Sequence, residues 1–97
     1  EALAVEILNG TQHPGLAQKA AVFWENLGGR VIRVADYNEQ LAKSLLVARG
    51  EASKSYSYKT IKNFFKPDCR ELSEGESRAD MTLVLGEDYW KTMTEKW

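Results

Sequence analysis

Short apolar runs, β-branched in part, alternate along the chain with longer stretches in which apolar residues return every three or four positions; the two periods predict strands and helices in turn. Ala2 to Leu8 reads Ala-Leu-Ala-Val-Glu-Ile-Leu and stops at the strong turn dipeptide Asn9-Gly10, which predicts a mostly buried strand. From Gly15 onward Leu16, Ala20, Phe23 or Trp24, and Leu27 recur at helical spacing until Gly28-Gly29, with Pro14 suited to the first turn. Arg30 to Ala35, Arg-Val-Ile-Arg-Val-Ala, lies between that Gly-Gly and Asp36-Tyr37-Asn38 and predicts a second strand. Strand, helix and strand joined by short connections form a βαβ unit whose strands run parallel.

The stretch Gln40 to Arg49 suits a helix by propensity or a strand in its Ser44 to Ala48 half, and the strand is the preferred reading. After Gly50, Ser53 suits the cap of a helix in which Tyr58, Ile61, and Phe64 or Phe65 share one face before Pro67 ends it. Cys69 to Leu72 reads as an edge strand and Met81 to Leu85 as the last clear strand, ending at Gly86. Tyr89 to Trp97 reads as a terminal helical turn carrying Trp90, Met93 and Trp97 at helical offsets. The predicted fold class is α/β: a two-layer sandwich, approximately β-α-β-β-α-β with an extra edge strand, its mixed sheet carrying two helices on one face. With 97 residues and no composition shift, residues 1–97 are expected to form a single domain.

Composition narrows the classes of partner. Lys and Arg total 13 against 14 Asp and Glu, a formal net charge of -1, so the basic stripe that phosphate-backbone binding requires is missing and no nucleic acid is expected. One Cys and one His offer neither an internal disulfide nor a structural zinc set, and no metal or cofactor is expected. No apolar run approaches the roughly 18–20 residues that cross a bilayer. The chain starts at Glu1 rather than Met, so any export signal or membrane anchor is expected outside these residues.

Val5-Glu6-Ile7-Leu8-Asn9-Gly10-Thr11 followed by Pro14-Gly15-Leu16-Ala17 resembles the signature that opens LytR C-terminal domains. Ala79-Asp80-Met81-Thr82-Leu83-Val84-Leu85-Gly86 with Asp88-Tyr89 resembles the family's closing segment, and Gly29-Arg30-Val31-Ile32-Arg33-Val34 fits its second strand. Gln12-His13 stand where many members carry Gly before the helix. The resemblance implies a non-catalytic, extracytoplasmic accessory domain of the cell envelope. Such domains are often appended to a LytR-CpsA-Psr catalytic domain that attaches anionic glycans to peptidoglycan, in a full-length protein anchored to the membrane. It implies a role in cell-wall biogenesis, with a wall glycan or an envelope protein as partner.

If the last strand runs parallel to the first, Asn9 to His13, Asp36 to Asn38 and Glu87 to Tyr89 emerge on one rim, where open α/β sheets tend to bind ligands, with Asn9, Gly10, Thr11, His13, Asp36, Asn38, Asp88 and Tyr89 the candidate contacts. The same residues also suit a purely structural use, Asn9-Gly10 as a tight turn, Thr11 or His13 as a helix cap, and Asp36 and Asp88 as caps of turns. His13 with Asp36 or Asp88 would be the barest kit for a small hydrolase, but neither Gly-x-Ser-x-Gly nor a known nucleophile-base spacing accompanies them, so no catalytic residue is assigned and no enzyme is expected. Tyr56, Tyr58, Phe64, Phe65, Trp90 and Trp97 suit either an aromatic platform or the core, with Tyr56 and Trp97 the better exposed pair. Lys54, Lys59, Lys62 and Lys66 lie near one face of the second helix and suit an anionic polymer or plain solvation. The alternative to glycan or protein binding is a structural module that pairs through the edge at Cys69 to Leu72.

Overall fold

The computed structural model describes residues 4–26, 30–50, 56–65, 67–72 and 79–96. In chain order these form β1 (Ala4–Asn9), α1 (Leu16–Asn26), β2 (Arg30–Asp36), β3 (Leu45–Arg49), α2 (Tyr56–Phe65), β4 (Asp68–Leu72), β5 (Met81–Leu85) and α3 (Glu87–Lys96). One five-stranded sheet runs in the order β2-β1-β5-β3-β4. β1 pairs parallel with both β2 and β5, β3 pairs parallel with β4, and β3 meets β5 antiparallel. Two βαβ units therefore flank the last strand, which joins them into a mixed α/β sheet of the expected kind.

Strand composition accounts for that order. All five residues of β5, Met-Thr-Leu-Val-Leu, are buried, as suits the central strand. The outer strands are charged instead: Arg30, Arg33 and Asp36 in β2, and Asp68, Arg70 and Glu71 in β4, a composition that discourages further strands from adding to the edges. On β2 the register passes from Val5↔Val31 to Glu6↔Arg33, leaving Ile32 as the extra residue of a bulge, 43% exposed. The expected edge strand at Cys69 to Leu72 is β4, and the ambiguous middle segment is the strand β3.

Val5 and Ile7 of β1, Met81, Leu83 and Leu85 of β5, and Leu46 and Ala48 of β3 form one cluster with Leu16, Ala20 and Trp24 of α1, Tyr58 of α2 and Tyr89 of α3. The helices thus cover a single face of the sheet, and among the described residues they are three rather than two. The C-terminal segment, expected as a turn, is a ten-residue helix starting at Glu87, where two acidic residues complement the positive end of the helix dipole. Pro14 lies in the turn ahead of α1 rather than inside it, because Gly15 adopts φ 80, a left-handed value that no helical residue takes. Ser53 and Leu27, expected at helix ends, fall outside the described residues.

The opposite face carries a polar row across three strands and onto a fourth. Arg33 Nη1 donates to Glu6 Oε2 at 2.5 Å, Thr82 Oγ1 donates to Glu6 Oε1 at 3.0 Å, and Arg49 Nη1 donates to Thr82 Oγ1 at 2.8 Å. Glu6 is buried, so a charge inside an otherwise apolar strand is tolerated because both of its oxygens are bonded. Replacing Glu6 with Ala is expected to lower stability by about 1.5–3 kcal/mol. Arg33→Ala, at an exposed side chain, is expected to cost no more than about 1 kcal/mol. Urea denaturation of both variants measures the difference, and equal losses would contradict the assignment of Glu6 as the buried anchor of the row.

Candidate functional site

Parallel pairing of β1 with β2 and β5 brings three strand ends to one rim, where Asn9 faces Asp36 on one side and Leu85 on the other. Asn9 organises the loop that leaves β1. Its Nδ2 donates to the His13 carbonyl at 2.9 Å, and its Oδ1 accepts from the Thr11 amide at 3.0 Å and the Thr11 hydroxyl at 2.6 Å. The Thr11 hydroxyl in turn accepts from the His13 amide at 3.1 Å. Gly10 donates its amide to the Leu85 carbonyl at 2.9 Å, and a Cβ at position 10 would lie 2.7 Å from that oxygen, so the backbones approach too closely for any other residue.

At the end of β5 a second knot ties α3 to the start of β3. Asp88 Oδ1 accepts from the Ser44 amide at 2.8 Å, from the Ser44 hydroxyl at 2.7 Å and from the Tyr89 amide at 2.7 Å, while Ser44 Oγ accepts from the Gly86 amide at 2.8 Å. Ser44 is fully buried, so this carboxylate is spent on holding the fold. Tyr89 lies in the core at 0% exposure, and burial pushes its phenol up from 10.0 to about 12. It sits beneath the rim and presents nothing to a ligand there.

His13 bridges the two loops. Its Nε2 donates to Glu87 Oε1 at 3.0 Å, and its ring stacks on Trp90 with centroids 3.9 Å apart and planes 10° from parallel. The carboxylate beside the imidazole is therefore Glu87, not Asp36 or Asp88. Among the described residues, no three His, Cys, Asp or Glu side chains gather as metal ligands would.

Asp36 and Asn38 are exposed, and with Asn9, Thr11, Gln12 and Glu39 they line an open groove of about 380 Å³. The expected rim residues thus divide. Asn9, Thr11, Asp36 and Asn38 reach the groove, Gly10 and Asp88 serve the backbone beneath it, His13 lies at the far side beside Glu87, and Tyr89 is internal. Gln12 and Tyr37, inside the expected rim segments, also line the groove; sequence reasoning missed Glu39 and Gln40, and did not foresee Glu87 and Trp90 as the partners of His13. Glu87 and Trp90 stand three residues apart in α3, a spacing that places two side chains on one helix face. Of the aromatic platform, Tyr58 is buried, Trp90 is engaged with His13, and Trp97 falls outside the described residues, as do Lys54 and Lys66. Lys59 and Lys62 are exposed on α2.

Fold and site together define a small two-layer α/β module with a polar rim at the ends of β1, β2 and β5. The chain belongs to the LytR cell envelope-related transcriptional attenuator family, whose model matches residues 2–89. It is an accessory-domain family, not a known catalytic one. Among solved structures the chain is similar to the soluble domain of a conserved hypothetical secreted protein from Mycobacterium marinum, at a TM-score of 0.63 and 20% identity. The match covers 89% of this chain and 60% of that one. No curated protein matches.

Removing the Asp88 carboxylate strands the buried Ser44 hydroxyl and amide, and Asp88→Ala is expected to cost about 1.5–3 kcal/mol. Chemical denaturation checks the value, and a neutral substitution would refute the knot. Because the folded chain holds the Tyr89 proton more tightly than the unfolded chain does, the stability contributed by the neutral phenol is complete below pH 10.0 and is lost as pH rises toward about 12. In an ultraviolet titration the Tyr89 phenol should ionise only near pH 12, and Tyr89→Phe should delete that step.

Proposed function

We propose that this chain is a non-catalytic accessory domain of the cell envelope that binds an uncharged wall glycan along its rim, within a longer extracytoplasmic protein anchored to the membrane by segments outside these residues. Family membership supports the envelope setting, and the secreted origin of the similar Mycobacterium marinum domain is consistent with it. The observation that carries the binding assignment is the groove of about 380 Å³ lined by Asn9, Thr11, Gln12, Asp36, Asn38 and Gln40. Its size falls near the lower end of the about 300–1,000 Å³ usual for ligand sites.

The chemistry of the lining selects the ligand. Carboxamides present a donor and an acceptor side by side, and carboxylates accept from hydroxyls, which suits a sugar whose every hydroxyl both gives and receives. Neither Lys nor Arg lines this groove, whereas Asp36 and Glu39 do, so a polyanion such as a teichoic acid meets repulsion there. An envelope protein is the weaker candidate, because interfaces draw their energy from buried aromatic and Arg anchors and Tyr37 is the single aromatic in the lining. Pairing through β4 finds an available edge, but Asp68, Arg70 and Glu71 make that edge a poor template.

In an NMR titration with the uncharged β-1,4-linked N-acetylglucosamine dimer, amide shifts are expected to cluster at Asn9 to His13 and Asp36 to Gln40. Asn38→Ala should weaken binding several-fold without loss of fold. Shifts confined to Lys59 and Lys62, or produced by poly(glycerol phosphate) alone, would overturn the assignment. Sedimentation velocity across a concentration series is expected to give a monomer, and a concentration-dependent dimer would favour the edge-pairing reading instead.

A further inference from the structure

The rim groove continues past Gln40. A second open groove, of about 400 Å³, is lined by Gln12, His13, Gln40, Leu41, Ala42 and Glu87. It shares only Gln12 and Gln40 with the first. These two exposed side chains meet across the gap, Gln12 Nε2 donating to Gln40 Oε1 at 3.1 Å. The divider between the grooves is thus one hydrogen bond between two flexible carboxamides, a bond for which water competes on even terms.

The floor beneath is fixed. The Leu41 amide donates to the Gly10 carbonyl at 2.8 Å, the Glu87 amide to the Leu41 carbonyl at 2.9 Å, and the Asp88 amide to the Ala42 carbonyl at 3.1 Å. His13 is clamped between Glu87 and Trp90. A rigid floor with a movable divider is preorganised for a chain that passes through, since little ordering is left to be done on binding. The second groove combines a carboxylate, the two carboxamides and a small apolar patch from Leu41 and Ala42, which matches a ligand unit carrying hydroxyls and an N-acyl group with its methyl.

We infer that the two grooves are one site for a linear, uncharged oligosaccharide with N-acyl groups, which occupies both at once and opens the Gln12–Gln40 bond so that each carboxamide turns onto the ligand. The inference rests on the rim-binding reading and adds to it a second subsite and a requirement for length.

The test is calorimetry and NMR with β-1,4-linked N-acetylglucosamine oligomers of two to six units, on the wild-type chain and on Ala42→Trp, which fills the second groove from an exposed position. Affinity should rise at least tenfold from the dimer to the longest oligomers. Ala42→Trp should erase that gain while leaving dimer affinity within about twofold. Should the tryptophan disturb the loop, Glu87→Gln, which keeps a hydrogen-bond partner for His13, reads the same subsite and should weaken only the long oligomers. Dimer binding at Asp36 to Asn38 with no gain from length, or a gain that survives Ala42→Trp, would overturn the two-groove inference and leave the rim reading standing. Silence toward oligomers of every length would sink both.

Discussion

Insertion of β5 between β1 and β3 is the constraint on which the rest of this molecule depends. Residues about 76 positions apart in the chain meet there, Val5 opposite Met81 and Asn9 opposite Leu85, and the strand closes two βαβ units into one sheet. The pairing is pinned at both ends. At one, the Asp80 amide donates to the Ala4 carbonyl at 2.8 Å and its carboxylate accepts the Ala4 amide at 2.9 Å; at the other, Gly10 reaches the Leu85 carbonyl. Such long-range contacts pay their loop-closure entropy before they return any burial, so the domain is expected to gain its tertiary stability late and cooperatively.

That same insertion makes the rim. With β5 parallel to β1, the loops after β1, β2 and β5 leave the sheet in one direction, and the backbone joins them: Tyr37 to Asn9, Leu41 to Gly10, Glu87 to Leu41. Polar residues here have two tasks. Asn9, Ser44 and Asp88 satisfy buried backbone groups and set the loop shapes, while Asp36, Asn38, Gln12 and Gln40 stay exposed above them. A framework held by internally satisfied polar groups leaves the outer row free to meet a ligand without reorganisation.

Strand positions and the βαβ start were legible in the chain, because Val5 to Leu8, Val31 to Val34 and Met81 to Leu85 carry local β-branched and apolar signals bounded by glycine turns. The helix α3 was underread, because the sequence signals only the periodicity of Trp90 and Met93 while the helix start depends on Gly86 and on Ser44, a residue 42 positions away. The candidate rim followed from topology alone, and its cluster of strand ends was foreseeable. Which rim residues face outward was not, since a capping Asp88 and a groove-lining Asp36 look alike in a sequence. Glu87 and Trp90 became visible as partners of His13 only once the loop after β1 was seen to fold down onto α3.

In the proposed function, a polar, weakly acidic groove on a module of the envelope-related family takes a neutral glycan and disfavours the anionic polymers that decorate it. The direct measurement is retention of the domain on insoluble wall sacculi before and after the anionic polymers are stripped by acid. The account predicts that binding survives stripping, and strengthens as competing charge is removed. Loss of retention from stripped walls, with binding kept only where the polyanions remain, would contradict it.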